Sequence, residues 1–202
     1  MQVIQVTDYG SPHAGAFVPM LATAMDRVRG RGWRALVTVP ARASTRSIEW
    51  LPDFRARQGD DVRIAPQVKR GAQAAWLEGL IDEGSGPTIL HSHMTAYDIA
   101  VAEVARRRAD VKAIWHFHTV LGEDLRARLR NRLRFLVAGR YVERMICVGP
   151  ALAEAICTRG APRRKVLVLP NGLDVTAFPP VTADERAGSR TVGAIRPTCF
   201  AT

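Results

Sequence analysis

His91 and His93 stand two residues apart in "TILHSH", and His116 and His118 repeat that spacing in "AIWHFH". In a strand, residues i and i+2 project from the same face, so each pair presents two imidazoles side by side. Imidazole holds or moves a proton near neutral pH, and it also ligates zinc, copper and iron. Two chemistries follow. Imidazoles at neighbouring strand ends can assemble a metal centre, making the chain a metal-dependent hydrolase built on His91, His93, His116 and His118. Alternatively, some of them pack in the sheet layer while others line a substrate cleft as hydrogen-bonding groups. Neither an H-x-x-x-H motif nor a cluster of acidic ligands accompanies the pairs, so the cleft is preferred and no residue is assigned to a metal.

A second candidate is the loop "DYGSPHAGAF", where Gly10 and Gly15 flank a polar turn before an apolar run of helical period. Free N–H groups and the helix dipole at such a junction favour an anion such as phosphate. The loop is neither G-x-G-x-x-G nor a Walker A sequence, which removes the key support for dinucleotide and P-loop readings, and on the loop alone a plain strand-to-helix turn is preferred.

These residues need strands to carry them. "QVIQVTD", "WRALVTVP", "DVRIAP", "PTILHSH", "VKAIWHFH", "ERMICVG" and "KVLVLP" are short apolar runs of strand type. Between most of them lie helical patterns: Phe17, Leu21, Met25 and Val28 recur at helical spacing, and further helices are expected over "GAQAAWLEGLIDEG", "TAYDIAVAEVARRRA", residues 123–140 and "PALAEAICTRG". Residues 41–60 are polar with scattered aromatics and are expected to form a surface excursion. Buried strands alternating with helices predict an α/β fold, a Rossmann-like parallel sheet with helices on both faces. Ligands in such folds sit beyond the carboxyl ends of the strands, where Gly15 and the histidines are expected.

Composition narrows the classes further. The chain has 202 residues and a formal charge of +10, carried almost wholly by arginine, since only Lys69, Lys112 and Lys165 among 29 basic residues are lysines. That balance suits an anionic partner: nucleic acid, a phosphorylated substrate or an anionic lipid surface. Cys147, Cys157 and Cys199 form no C-x-x-C pair, which argues against a disulfide framework or a cysteine zinc site. "MQVIQVTDYG" lacks the features of a signal peptide and no run is long enough to span a bilayer, so a cytoplasmic protein is expected. In "LRARLRNRLRFLVAGR", Leu125, Leu129, Leu133 and Leu136 make one stripe, with Arg126, Arg128, Arg130, Arg132 and Arg134 around it. The simpler expectation is that the leucines pack on the sheet and the arginines face water. Peripheral membrane contact through residues 125–140 is the alternative.

The last strand runs into "LPNGLDVTAFPP", where Asn-Gly permits a sharp turn and Pro-Pro stiffens the departing chain. This P-N-G-x-D-x-x-x-F segment, together with "TDYGSPHAGAFVPMLATAM", the H-x-H of "TILHSHMTAYDIA" and the "IWHFHTV" strand end, taken in order, resembles the N-terminal half of glycosyltransferase family 4, of GT-B fold. The resemblance covers roughly residues 1–180. It implies one half of a GT-B architecture: an N-terminal domain over residues 1–175, then a linker and the opening of a second domain over 176–202. The family's E-x-x-x-x-x-x-x-E donor motif is absent, and Ala194 stands where the family often has arginine.

By the same resemblance, the activity is transfer of a sugar from a nucleotide-sugar donor to a sugar, lipid-linked or other small acceptor. The nucleotide sugar is a co-substrate; no cofactor, metal or nucleic acid is implied. His118 would hydrogen-bond the transferred sugar or the acceptor. Gly15 would approach the donor diphosphate, although Gly15-Ala16 replaces the common Gly-Gly pair. His91 and His93 would line the pocket or hold the structure, and Asn171 and Asp174 would be hinge residues. The chain alone is expected to be inactive, with a separate C-terminal half as a partner and the inner membrane face as a peripheral location. A non-catalytic binding module is the further alternative.

Overall fold

The computed structural model describes residues 1–40 and 48–172. They belong to one compact unit, Met1–Gly172. The expected linker over 176–202, and with it the boundary at 175, lies outside the described residues. Seven strands form one sheet: β1 (Gln2–Thr7), β2 (Arg34–Pro40), β3 (Val62–Ala65), β4 (Thr88–His93), β5 (Val111–Phe117), β6 (Val142–Cys147) and β7 (Val166–Val168). Their order is β3-β2-β1-β4-β5-β6-β7, and every pairing is parallel. The α-helices of the described residues are α1 (Phe17–Arg29), α2 (Leu51–Gln58), α3 (Arg70–Asp82), α4 (Asp98–Arg107), α5 (Leu125–Val137) and α6 (Pro150–Thr158). This is the expected Rossmann-like α/β fold.

β1 and the last six residues of β2 are buried throughout, because apolar layers cover both faces of the sheet. One layer packs Phe17, Leu21 and Met25 of α1 with Phe54 of α2 against Val37 and Val39. The other gathers Ile4, Leu90, Trp115 and Met145 with Leu77, Val104, Phe135 and Ile156. At the amino edge, Gln2 donates to the Ile81 carbonyl and to Thr88 Oγ1, both at 2.9 Å, and accepts from Arg34 at 3.1 Å. Those bonds tie three strands and α3 together at the edge away from the histidines.

Two expectations are corrected. Residues 41–60 are not a plain excursion: Ile48, Trp50, Leu51 and Phe54 are buried, and 51–58 is helical. Trp50 and Phe54 are one helical turn apart and stack edge to face at 5.6 Å, so a segment polar in composition still owns an apolar side. Residues 41–47 lie outside the described residues. In α5, the leucine stripe does not pack on the sheet. Leu125, Leu129, Leu133 and Leu136 are 83, 60, 54 and 58 % exposed, while Ala127, Asn131 and Phe135 are buried. Arg134, expected among the solvated arginines, has a side chain only 9 % exposed. The helix turns this side inward because Phe135 meets Trp115 and Phe117 at 6.2 and 6.0 Å, and the Arg134 guanidinium lies over all three rings. Those aromatic and cation–π contacts win over a stripe that is more apolar by composition.

Candidate active site

β1 and β4 are neighbours, with β2 and β3 on one side and β5 to β7 on the other, so the strand order reverses between them. In open α/β sheets this switch point opens the crevice that takes ligands. The register pairs Thr7 with His93 and His93 with His116, and pairs Gln5 with His91. Gln5, His91, His93 and His116 therefore share one sheet face, the face that α1 covers. His118 follows directly after the last residue of β5.

The structure brings the four strand-end histidines into contact. The His91 and His93 rings are 4.2 Å apart, those of His116 and His118 are 4.0 Å apart, and His91 lies parallel to His116 at 5.3 Å. A hydrogen-bond chain orders part of the group. His93 Nε2 donates to Gln5 Oε1 at 2.8 Å, and His93 Nδ1 accepts from His118 Nε2 at 3.0 Å. Phe17, the first residue of α1, presses edge-on against His93 at 5.3 Å and His118 at 5.1 Å.

Burial keeps these rings uncharged. Loss of water, reinforced by the neighbouring imidazoles, pushes His91 down to about 3 and His116 to about 2, and holds His93 well below the ordinary histidine range. His118 is lowered to about 4, again through burial, while a hydrogen bond with the Asn171 side chain pulls it back upward. Asn171, expected only to turn the chain, thus also positions His118. Phe17, Gln5 and Asn171 are the residues that sequence reasoning missed here. A polar Gln5 inside the apolar run of β1 was the one available signal.

Gly15 sits in the loop after β1 with φ +52°. Tyr9 braces that loop by donating to the His13 carbonyl at 2.9 Å, and Trp50 Nε1 donates to the Ser11 carbonyl at 2.9 Å. Among the described residues no side-chain oxygen caps α1, and no acid occupies its first turn, so its N-terminus keeps the electrostatics an anion needs. A Cβ on residue 15 would stand 3.3 Å from the Tyr9 hydroxyl in a left-handed conformation. Gly15→Ala should therefore lower stability by about 1 kcal/mol in urea denaturation, without a change in far-ultraviolet dichroism.

The metal alternative is tested by the same geometry. Ligand atoms of His91, His93 and His116 lie within 4.8 Å of one another, and among the described residues His91 Nε2 and both nitrogens of His116 have no hydrogen-bond partner. Both His93 nitrogens, however, are already engaged, and the grouping holds no carboxylate or thiolate among the described residues. The arrangement suits a neutral polar cleft wall better than a metal cage.

No curated protein sequence matches this chain. Solved structures resemble it in fold. Anabaena Alr3699/HepE in complex with UDP and glucose superposes with a TM-score of 0.65 at 17% identity, over 88% of this chain and 46% of the other. The same protein with UDP-glucose gives 0.64, again at 17% identity and with the same coverage. The lipopolysaccharide outer core galactosyltransferase WaaB in its apo form gives 0.61 at 11% identity, over 87% and 47%. The chain thus spans about half the length of these structures, and its fold is one half of a GT-B architecture. Residues 15–177 match the sequence profile of Glycosyltransferase Family 4, a match that favours the transferase over the hydrolase. The chain belongs to Glycosyltransferase Family 4.

Proposed function

We propose that this chain is the acceptor-side half of an enzyme that transfers a sugar from a nucleotide-sugar donor to an acceptor. The observation that carries it is the His93–His118 pair at the carboxyl edge, beside a glycine loop that opens an uncapped helix. His118, kept neutral, orients a hydroxyl of the acceptor or of the transferred sugar. Its imidazole also faces the place where charge develops on the departing diphosphate. The left-handed backbone at Gly15 brings main-chain N–H groups toward that diphosphate, as a side chain there would not allow. His91 and His93 line the pocket and hold His118, and no metal or further cofactor takes part. The structural neighbours hold UDP and UDP-glucose, which supports a uridine diphosphate sugar as donor.

Peripheral seating on an anionic membrane through residues 125–140 belongs to the same proposal, because the leucines of α5 face outward among arginines. Among the described residues no helix is long and apolar enough to cross a membrane. Saturation-transfer NMR on the chain with sugar and glycolipid acceptors tests the reading. Acceptor signals should respond with the wild-type chain and fade by about tenfold with His118→Ala, in keeping with the loss of one oriented hydrogen bond. Unchanged signals with His118→Ala would remove His118 from the site.

A further inference from the structure

A groove of about 780 Å³ runs between α4 and α5, on the sheet face opposite the imidazoles. It reaches the carboxyl edge at Thr95 and Thr119, and Thr119 adjoins His118. Its size is that of a small-molecule site. Its chemistry is of two kinds. Leu129, Leu133, Val137 and Ile99 supply apolar wall, and all four are exposed, from 47 to 60 %. Arg126, Arg130 and Arg134 line the same space.

Arg134 is the informative residue. Its side chain is nine-tenths buried, yet among the described residues Nε and Nη2 have no hydrogen-bond partner. It faces Asp98, whose Oδ2 lies 3.4 Å from Nη1 and likewise makes no hydrogen bond among the described residues. Burial pushes the Asp98 carboxyl well above the ordinary carboxylate range, against the pull of Arg134 and the Ser92 hydroxyl. Asp98 therefore compensates the guanidinium only in part. Arg130 adds a second positive charge close enough to oppose ionisation of Arg134. The acid that lines the groove, Glu103, is engaged by Arg107. An incompletely compensated, buried guanidinium beside a second arginine is costly unless an anion joins it. An inorganic anion would account for the arginines but leave the exposed leucines without a partner.

We propose that this groove binds a lipid phosphate, with the apolar tail along Leu129, Leu133 and Val137 and the phosphate at Arg126, Arg130 and Arg134. The lipid is then the acceptor class of the transferase, its head group delivered past Thr119 to His118. This assignment rests on the acceptor-side reading above. It also explains why α5 turns its leucines outward: they form one wall of the groove and its approach from a membrane.

The test is isothermal titration of the full chain with monomeric farnesyl phosphate, farnesol and inorganic phosphate. Farnesyl phosphate should bind saturably, and each of the other two should bind at least about tenfold more weakly, because each lacks one half of the recognition. The pair Leu129→Asn and Leu133→Asn changes exposed residues only, so it should keep the fold and weaken farnesyl phosphate by about tenfold. Arg134→Gln would also disturb the aromatic packing, so Arg130 is the arginine to change. Arg130→Gln should weaken farnesyl phosphate by about tenfold and leave farnesol unchanged. Farnesol binding as tightly as its phosphate, inorganic phosphate matching both, or indifference to the leucine pair would each overturn the assignment. Since no nucleotide sugar is present, the two readings separate. Farnesyl phosphate binding without sugar transfer to any acceptor, even with a donor half supplied, overturns only the transferase; transfer to a water-soluble acceptor by a chain that ignores farnesyl phosphate overturns only the lipid site.

Discussion

Incubated with labelled uridine diphosphate sugars and a panel of acceptors, residues 1–202 alone should transfer sugar at a rate barely above the uncatalysed one. On the proposed reading, Gly15, the N-terminus of α1 and the imidazole group at the carboxyl edge would orient an acceptor without enclosing a nucleotide. Holding donor and acceptor together in attack geometry accounts for roughly 7–11 kcal/mol of such a barrier. The chain spans about half of the nucleotide-binding structures it superposes on, so that contribution is the one expected to be missing. Adding a donor-binding half should restore turnover, and His118→Ala should then lower kcat by about two orders of magnitude or more. Turnover by the 202 residues alone, abolished in His118→Ala, would show that this form is a complete enzyme and that the two-half account is wrong.

Acidification from pH 7 to 5 should cost the fold about 3–6 kcal/mol, read as a falling urea midpoint. The sign follows from the imidazoles. Unfolded histidines take up protons below about 6.5, whereas His91, His93, His116 and His118 remain mostly neutral in the folded chain down to about pH 5. The unfolded state therefore binds more protons across this window, and stability present at neutral pH is lost on the way down. Each fully enclosed histidine contributes about 2 kcal/mol of that loss. Asp98 works the other way: its carboxyl, raised by burial, takes a proton in the folded state first, offsetting about one histidine. Glu83 and Asp110, held down by hydrogen bonds from Arg63 and Arg108, add their losses only at lower pH, in and below the ordinary carboxylate range. His116→Asn should flatten the slope between pH 7 and 5. A midpoint that does not move in that range would mean that the rings are hydrated and that the cluster is not closed.

The strand carriers were legible because each is a short apolar run bounded by turn residues, and fully buried strands need no alternation to be recognised. β1, β2, β4 and β5 fall within two residues of their expected limits for this reason. α2 was not legible, because "LPDFRARQ" is polar in composition and its apolar side consists of Leu51 and Phe54 with Trp50 at the cap. Only the apolar face of the sheet beneath it reveals that these residues have something to cover. The P-N-G segment was legible only as a hinge, and its contact with His118 was not legible, since 53 positions separate Asn171 from that histidine.

What the sequence determined by itself is local and periodic: the alternation of strands and helices, the placement of Gly15 and the histidines at strand ends, and the family. Spacing in a strand put His91 beside His93 and His116 beside His118 without reference to anything distant. Tertiary structure decided the rest. Register placed His93 opposite His116 and so merged two pairs into one group, whose burial then removed its charge. Packing likewise chose between two sides of α5. A helix places both a leucine stripe and the Ala127–Asn131–Phe135 side at the same period, and periodicity cannot say which one meets the sheet. The aromatic rings of Trp115 and Phe117, from a strand sequence that carries no information about α5, made that choice and left the leucines facing outward.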